Sequence, residues 1–294
     1  MMIEAPQQEI ANERGYLNKD FQFFHLKDCR ENKIESHFHD FYKVLFFLSG
    51  SVTYLIEGMN YRLQPGDILL LHRGTIHKPL ISADNTYDRQ IAWFSPAFLN
   101  RNSEQDCDLQ TCFQQAHQNR SFLLLPSTAI RQKLSILLTE WETALTETGF
   151  GHKLRQRLLA LELLIALNQA YQHPASVSRQ ASYYDKAIVN ALVYIDSHLT
   201  APLTVDHLAA RVCLSKYHFM RKFKEQTGYS PHHYITQKRL ICANQWIDAG
   251  EPLLSAALNS GFSDYSTFIR SFKKAYGLAP KKYYNRLIPS NREK

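Results

Sequence analysis

The sequence predicts an α+β protein of two domains, in which an N-terminal antiparallel β-barrel with flanking helices precedes a C-terminal all-α domain. Three observations lead to this fold class. Short runs rich in β-branched and aromatic residues, broken by turn residues, fill residues 20–97. Helical periodicity takes over after residue 120. A helical motif near the C-terminus then recurs after 49 residues.

Changes in composition indicate where the domains begin and end. Residues 1–20 are polar and aperiodic, so we expect an arm. Residues 21–172 form the predicted barrel domain with its helices, and residues 184–294 form the predicted all-α domain. Between them, residues 173–183 are mostly small and polar and contain a proline, which is typical of an interdomain linker.

Seven strand-like runs are separated by turn signals such as Ser-Gly and Pro-Gly-Asp. The runs are FQFFHL, FYKVLFFLSG, VTYLIEG, YRLQPGD, ILLLHRG, HKPLIS and YDRQIAWFS. Runs at this short spacing favour an antiparallel barrel or a sandwich, and we take the barrel as the prediction. The polar segment 100–120 that follows is expected to be a loop.

Two helices are predicted after this loop. Ser127 can cap the first, which carries apolar residues on one face and extends to about Thr146. The second extends from Lys153 to about Tyr171 and is apolar nearly all round, so more than one surface must cover it. We expect it to pack on the barrel and, through Leu158–Leu167, to form a homodimer interface; the alternative is that it only caps the barrel.

The positive charge of the chain lies in its C-terminal part. The net charge is +7, from 34 Lys and Arg against 27 Asp and Glu. From Tyr183 onward the chain contains 16 Lys and Arg against 8 Asp and Glu, a net charge of +8, so the remainder carries −1. This asymmetry suits a polyanionic partner such as nucleic acid.

The sequence also limits where the protein can work. It contains no apolar run long enough to span a bilayer and no signal-peptide core, so we expect a cytoplasmic protein without a membrane partner. The five cysteines are odd in number and form no C-x-x-C pair. Cys213 and Cys242 fall at apolar positions of predicted helices, so we expect buried free thiols in a reducing compartment.

One stretch, Leu203–Pro231, has the pattern of a helix-turn-helix motif. Val205–Arg211 is a short predicted helix, and Ser215 is a good N-cap for a second one. The second helix is basic, with lysine, arginine and histidine at five of nine positions from Lys216 onward. Two short helices of this kind, with the second one exposed, fit the major groove of DNA.

The motif recurs 49 residues later. Asp264 stands where Ser215 stood, and Arg270 stands where Arg221 stood. Phenylalanine, glycine, proline and tyrosine positions also repeat, in the pairs Phe219 and Phe268, Phe223 and Phe272, Gly228 and Gly277, Pro231 and Pro280, and Tyr234 and Tyr283. Between the copies, a predicted helix from Pro231 to about Ala249 joins them rigidly, which would fix their spacing on DNA.

The C-terminal hundred residues, with the run GFSDYSTFIRSFKKAYGLAPKKYYNR, closely resemble the AraC family of bacterial transcription regulators. The N-terminal part looks like the small cupin barrel that many members carry. The resemblance implies a sequence-specific DNA-binding regulator, an activator and not an enzyme, which is controlled by a small molecule in the barrel. It implies as partners double-stranded DNA with directly repeated operator sites, RNA polymerase and a second copy of the chain.

By position, the resemblance places two sets of residues on bases. They are Tyr217, Met220 and Arg221 in the first copy, and Tyr265, Ser266, Thr267 and Arg270 in the second. Both arginines can pair bidentately with guanine, and the Thr267 methyl group can contact thymine. The basic residues expected on phosphates are Lys216, Lys222, Lys224, Lys273, Lys274 and Lys282, and His218 is a further predicted DNA-binding residue. The alternative for the two arginines is that they form surface ion pairs. For the four phenylalanines we predict core anchors and not base-stacking groups.

The predicted barrel contains a histidine pattern that resembles the metal site of cupins. His37 and His39 lie on one face of a strand, and His77 follows in HRGTIH. Where the cupin pattern has an acid, this chain has Lys43, and an ammonium group cannot ligate a metal. We therefore predict neither a metal nor another cofactor.

Two alternative functions remain for the whole protein. One is a metal-dependent cupin enzyme with a DNA-binding tail, and the other is a DNA-binding regulator that needs no ligand.

The same residues predict a polar ligand pocket. Lys43 shares strand parity with the two histidines, so it should point inward, where a buried lysine needs a partner. The predicted ligand-binding residues are His37, His39, Lys43, Tyr54, His77 and Trp93. The predicted ligand is a small polar molecule such as a sugar, and an anionic molecule is the alternative. The alternative is that Lys43 reaches the rim and the histidines only satisfy core hydrogen bonds.

Overall fold

The computed structural model describes residues 17, 19–28, 34, 36–82, 86–173, 182–183 and 185–287. The chain divides into two compact units. The first comprises Met1–Ile56 and Asn60–Ser182, and the second comprises Glu57–Met59 and Tyr183–Lys294. Most of the predicted arm and most of the predicted linker lie outside the described residues.

The first unit is rich in β-strands. The strands of the described chain are β1 (Phe21–Asp28), β2 (Tyr42–Ser49), β3 (Val52–Ile56), β4 (Met59–Arg62), β5 (Ile68–Leu71), β6 (His77–Ile81), β7 (Tyr87–Phe94), β8 (Leu123–Leu124) and β9 (Ser182–Tyr183). Six of the seven predicted runs coincide with a strand among the described residues, whereas the run YRLQPGD overlaps β4 only at Tyr61 and Arg62. They form a five-stranded sheet in the order β1-β7-β2-β5-β8 and a four-stranded sheet in the order β6-β3-β4-β9. The described strands thus form two sheets and not the single closed barrel predicted, because alternation in the sequence marks buried faces but not edge pairing.

The five-stranded sheet has two buried faces with different roles. Tyr42, Val44 and Phe46 of β2, with Ala92 and Phe94 of β7, point to one side and join a large apolar core. Residues at odd positions of these strands point to the other side, because side chains alternate along a strand. That second side faces the smaller sheet, since Tyr54 Oη of β3 lies 2.9 Å from Tyr87 Oη of β7. The space between the sheets is the interior of the first unit.

In the described part of the first unit, four helices cover the apolar face of the large sheet. They are α1 (Pro96–Asn102), α2 (Thr111–Gln118), α3 (Thr128–Ala144) and α4 (His152–Tyr171). Ser127 caps α3 as predicted, and Trp141 of that helix is fully buried. Helix α2 corrects the expectation of a loop over 100–120. Its apolar face is only Cys112, Phe113 and Ala116, too short a pattern to stand out in a polar segment.

The second unit is helical. Its helices are α5 (Lys186–Ser197), α6 (Val205–Arg211), α7 (Lys216–Thr227), α8 (Pro231–Asp248), α9 (Leu253–Asn259), α10 (Tyr265–Tyr276) and α11 (Pro280–Leu287). Helix α6 has the predicted bounds, and α7 and α10 begin at the predicted caps Ser215 and Asp264. Across the described parts of both units, no helix combines the length and the apolar character that a bilayer crossing requires.

Helix α8 joins the two copies and is bonded to segments next to each. The Arg239 guanidinium donates to the carbonyls of Leu199 and Ala201, in the segment that leads into α6 (2.9 Å each). The fully buried Asn244 donates to Tyr276 Oη of α10 (2.8 Å) and accepts from Tyr284 Oη of α11 (2.9 Å). Buried polar bonds of this kind specify one arrangement, so the connector is fixed at both ends.

The two copies differ by one residue in the turn. The amide of Leu214 donates to Ala209 O, and the amide of Phe262 donates to Ala257 O. Equivalent residues at the start of the two turns are therefore 48 positions apart in the sequence. The caps Ser215 and Asp264 are 49 residues apart, so the second turn is one residue longer. Left-handed backbone follows each first helix, at Gly261 (φ +89°) in the second copy and at Cys213 (φ +56°) in the first. Cys213 is therefore an exposed turn residue, and the prediction that it is buried in a helix is wrong.

This difference leads to a stability prediction. Cys213→Gly is expected to stabilise the second unit by up to about 1 kcal/mol, because glycine lacks the Cβ atom that disfavours positive φ, although it loses more entropy on folding. Gly261→Ala is expected to destabilise by more than that, since its Cβ would also lie 2.1 Å from Leu199 O. Urea denaturation of both variants measures the effect. A loss of stability in Cys213→Gly would contradict the strain at this turn.

Candidate nucleic-acid interface and interior polar cluster

Helix α7 presents the residues predicted to contact DNA. Tyr217 is 80% exposed and Met220 41% exposed, which is unusual for apolar side chains in a small domain. Arg221 and Lys224 are exposed and, within the described residues, form neither a hydrogen bond nor an ion pair through their side chains. Their charges are therefore available to a partner.

Two other lysines of α7 have partners. Lys216 Nζ lies 2.9 Å from Asp206 Oδ2, but both side chains are largely exposed, so this pair is weak and screened by salt. Lys222 Nζ lies 2.5 Å from Asp185 Oδ2, and the Asp185 carboxylate also caps α5. Hydrogen bonding from Lys222 and from the backbone at the cap, opposed by burial, lowers the pKa of Asp185. Lys222 thus helps to hold α7 against α5. The sequence predicted only a phosphate contact for this lysine. His218 is half-buried on the same helix.

Helix α10 presents a more constrained set. Arg270 Nη2 donates to Thr267 Oγ1 (3.1 Å), and that hydroxyl donates to Asp264 Oδ2 (2.8 Å). Hydrogen bonds from the Thr267 backbone and side chain, with the nearby Arg270, lower the pKa of Asp264. A carboxylate therefore lies at the exposed start of α10, where α7 has a neutral serine. The remaining predicted residues Ser266, Lys273, Lys274 and Lys282 are exposed, and Tyr265 is half-buried.

The four repeated phenylalanines are core residues, as predicted. Phe219, Phe223, Phe268 and Phe272 are all fully buried. Within each copy the two ring centroids are 5.4 to 5.5 Å apart. Because these rings face inward, the charged and polar residues between them must face outward along α7 and α10.

Inside the first unit, the six residues predicted to bind a ligand lie together. Lys43 of β2 is directly opposite Trp93 of β7 in the ladder. His77 of β6 brings its Nε2 to 3.4 Å from Lys43 Nζ, and its ring stacks with Tyr54 of β3 at 6.4 Å. Ring centroids of His37 and His39 lie 4.5 and 5.3 Å from that of His77. Both sheets and the segment before β2 thus contribute to one interior polar cluster, by which we mean these six residues.

Hydrogen bonds define the protonation of this cluster. His77 Nδ1 lies 2.9 Å from Thr75 O, and a carbonyl only accepts, so Nδ1 carries the proton and Nε2 presents a lone pair to Lys43. Burial, with the charge of Lys43, lowers the pKa values of His39 and His77 well below 6.5, so both are neutral at pH 7. Burial and the charge of Arg89 lower the pKa of Lys43 to about 7.

The three imidazoles are close enough to raise the question of a metal. Their ligand nitrogens all lie within 4.8 Å of one another. Three histidines form the usual donor set for zinc. However, the lone pair of His77 Nε2 already faces Lys43 Nζ, and an ammonium group there opposes a divalent cation. We therefore assign no metal to this cluster.

The sequence prediction missed one residue of the interior. Arg89 of β7 is buried, and its guanidinium carbon lies 3.9 Å from the centroid of the Tyr87 ring. Its charge influences the pKa values of both Lys43 and Tyr54. Arg89 shares strand parity with Trp93, and that pattern in YDRQIAWF was the signal that could have placed it inside.

Comparisons with known proteins cover both units. Residues 23–164 match the model of an AraC-like ligand binding domain, and residues 208–286 match a helix-turn-helix domain. An uncharacterised helix-turn-helix transcriptional regulator of Bacillus subtilis, YbfI, is 28% identical over 80% of this chain and 81% of its own length. The transcriptional activator RhaS of Klebsiella pneumoniae is 21% identical over 85% of this chain and 87% of its own. The crystal structure of ToxT from Vibrio cholerae aligns with 92% of this chain and 99% of its own at 16% identity, with a TM-score of 0.36.

Proposed function

Because the chain belongs to the AraC family of transcription regulators, we propose that it activates transcription by binding a specific operator through α7 and α10, under the control of a small molecule held in the interior polar cluster. The observation that carries this proposal is the repeated helix pair, whose second helices each present an exposed arginine. Activation, through contact with RNA polymerase, is proposed because the relative RhaS is named an activator.

The proposed reading of DNA follows from the geometry of the second unit. The connector α8 is bonded to segments next to both copies, so α7 and α10 are presented at a fixed spacing. Arg221 and Arg270 are suited to guanine, while Lys224, Lys273 and Lys274 supply phosphate contacts that carry no sequence information. Two helices at fixed spacing suit two adjacent sites on one face of DNA, and we propose that the operator repeats this unit directly.

The proposed ligand is a sugar or a related metabolite. The cluster offers neutral imidazoles and the Tyr54 hydroxyl for hydrogen bonds, and the Trp93 ring as an apolar face. Aromatic rings combined with a few polar groups are typical of small-molecule sites. Control of DNA binding would require the ligand to favour one of two states of the protein.

Genomic binding with and without metabolites tests the proposal. The purified full chain is incubated with sheared genomic DNA, and the recovered sites are then footprinted in the presence of candidate carbon sources. We expect a discrete set of protected sites containing repeated elements, with a protection pattern that one class of metabolite changes. Uniform recovery of all fragments would refute sequence-specific binding, and a footprint that no metabolite alters would favour a ligand-independent regulator.

Helix α4 is the proposed dimer interface. Leu154, Leu158 and Ile165 are exposed, and Leu161 is only partly buried. The spacing of 4, 3 and 4 residues places these four on one stripe, which is the a/d pattern of a two-stranded coiled coil. A stripe of this kind is complementary to itself, so we propose that a second copy of α4 covers it.

We expect Leu158→Glu to convert the dimer into a monomer, because it places a charge in the middle of the seam. Sedimentation of the full chain at micromolar concentration measures the change. Lys153→Glu, on the same helix outside the stripe, is the control and should remain dimeric. If the unmodified chain sediments as a monomer, the interface is wrong.

A further inference from the structure

Lys43 is a buried cation whose described neighbours supply no negative charge. It is 7% exposed, and its ammonium group faces the neutral His77 Nε2 at 3.4 Å. Within the described part of the chain, no carboxylate forms an ion pair with it. Its pKa is lowered to about 7 by burial and by the positive Arg89, with no acidic group among the causes. A buried charge of this kind costs free energy unless something compensates it.

Two further polar groups next to Lys43 lack partners. Both ring nitrogens of His39 and Nε1 of Trp93 are buried without a hydrogen bond in the described structure. The His39 and Trp93 rings are 5.9 Å apart, and Trp93 lies directly opposite Lys43 across the ladder. Buried polar atoms in folded proteins are almost always bonded, so three unsatisfied atoms in one place indicate a missing group.

The chemistry of these groups defines what is missing. Trp93 Nε1 can only donate, Lys43 donates up to three hydrogen bonds as an ammonium, and neutral His39 has one donor nitrogen. The missing group must therefore accept hydrogen bonds from these donors, while the second nitrogen of neutral His39 needs a donor, such as a hydroxyl of the same molecule. A neutral hydroxyl would accept these bonds but leave the charge of Lys43 uncompensated, whereas a carboxylate or a phosphate would do both.

We infer that the small molecule bound in the interior polar cluster carries an anionic group, a carboxylate or a phosphate, held by Lys43 with Trp93 and His39 as further hydrogen-bond donors. This inference rests on the proposed function and narrows its ligand to an acid or a phosphate ester, such as a sugar acid or a sugar phosphate. Arg89, which also faces the interior, adds positive potential.

The affinity for the anion should depend on pH and should fall as the pH rises. The anion binds the ammonium form of Lys43, so binding raises the pKa of Lys43 above about 7. Above pH 7 the free protein loses this proton, and affinity should fall by up to about tenfold per pH unit until the pKa of the complex is reached. Among the described residues, the other titratable or charged groups that face Lys43 are His37, His39, His77, Tyr54 and Arg89. His39 and His77 are neutral throughout this range, and the pKa of Tyr54 is raised by burial.

A direct test follows the titration of Lys43 in the full chain. The protein is labelled with carbon-13 at the lysine ε-carbons, and the Lys43 signal is assigned by its loss in Lys43→Met. The signal is titrated from pH 5 to 10 alone and with acetate, with inorganic phosphate or with the neutral sugar ribose. We expect acetate or phosphate to raise the pKa of Lys43, and the more effective anion identifies the carboxylate or the phosphate class. If neither anion shifts it, or if ribose shifts it equally, the inference is wrong.

Variants separate the anion contact from a structural role. Calorimetry with the more effective anion should show at least a tenfold loss of affinity in Lys43→Met, retention in Lys43→Arg, and a severalfold loss in Trp93→Phe. Lys78→Met, on the opposite face of β6 next to His77, should bind like the unmodified chain. Circular dichroism confirms that each variant is folded. DNA binding is measured separately without any anion, so a chain that binds its operator but no anion would refute this inference and leave the proposed function standing.

Discussion

Replacing Phe272 with alanine is expected to destabilise the second unit by about 3–5 kcal/mol, a large part of the stability of a small domain. Phe272 is fully buried in α10. Its ring centroid lies 5.5 Å from that of Phe268, 4.4 Å from Tyr276 and 5.4 Å from Tyr283. Removing the ring opens a cavity among these aromatic groups and also loses its edge-to-face contacts with Phe268 and Tyr283.

Denaturation in urea, followed by helix content and by the fluorescence of Trp246 in chains where Trp93 and Trp141 are replaced by phenylalanine, measures this loss. The full chain has two units and need not unfold in one step, so the transition that contains the Trp246 signal is the one to compare. Tyr217→Ala removes an aromatic ring of similar size from a site that is 80% exposed, and we expect a change within about 0.5 kcal/mol. A loss below about 1 kcal/mol in Phe272→Ala would contradict the packing of the second copy.

Features encoded over a few residues could be predicted from the sequence. Six of the seven strand-like runs coincide with a strand, because alternating or continuous apolar residues between turns have few other solutions. The starts of α3, α7 and α10 at Ser127, Ser215 and Asp264 were predictable because a cap acts through hydrogen bonds within three residues. The parity that placed Lys43 inside the first unit is equally local.

Features that depend on pairing between distant segments could not be predicted. Whether strands close into a barrel or form two sheets is decided at their edges, and edge pairing leaves no periodic signal. Asn244 looks like an ordinary polar residue until α10 and α11 bring Tyr276 and Tyr284 to it. Similarly, the extra residue in the second turn becomes visible only when Cys213 and Gly261 show the same left-handed backbone.

Arg221→Ala is expected to lower the affinity for the operator by about 1–3 kcal/mol, a factor of roughly 5 to 150, and to relax the base preference at one position. Arg221 is exposed on α7 and is bound to no other described side chain, so its fork is available for guanine. Lys224→Ala is the matched comparison. It should weaken binding to all sequences alike and reduce the dependence on salt, because a lysine on phosphate carries no sequence information.

Arg270→Ala is expected to cost less than Arg221→Ala. Arg270 must give up its bond to Thr267 before it can contact a base, and the Asp264 carboxylate nearby repels the phosphates that would surround it. We therefore expect the first copy to contribute more of the affinity than the second. The pairing of Lys222 with Asp185 removes one cation from the first copy, so this ranking rests on the Asp264 carboxylate more than on the number of basic residues in each copy. Fluorescence anisotropy of each single variant and of the double variant, on operator and random duplexes at several salt concentrations, measures both effects. Equal losses on operator and random DNA for Arg221→Ala would refute the base contact, and a larger loss for Arg270→Ala would reverse the ranking of the two copies.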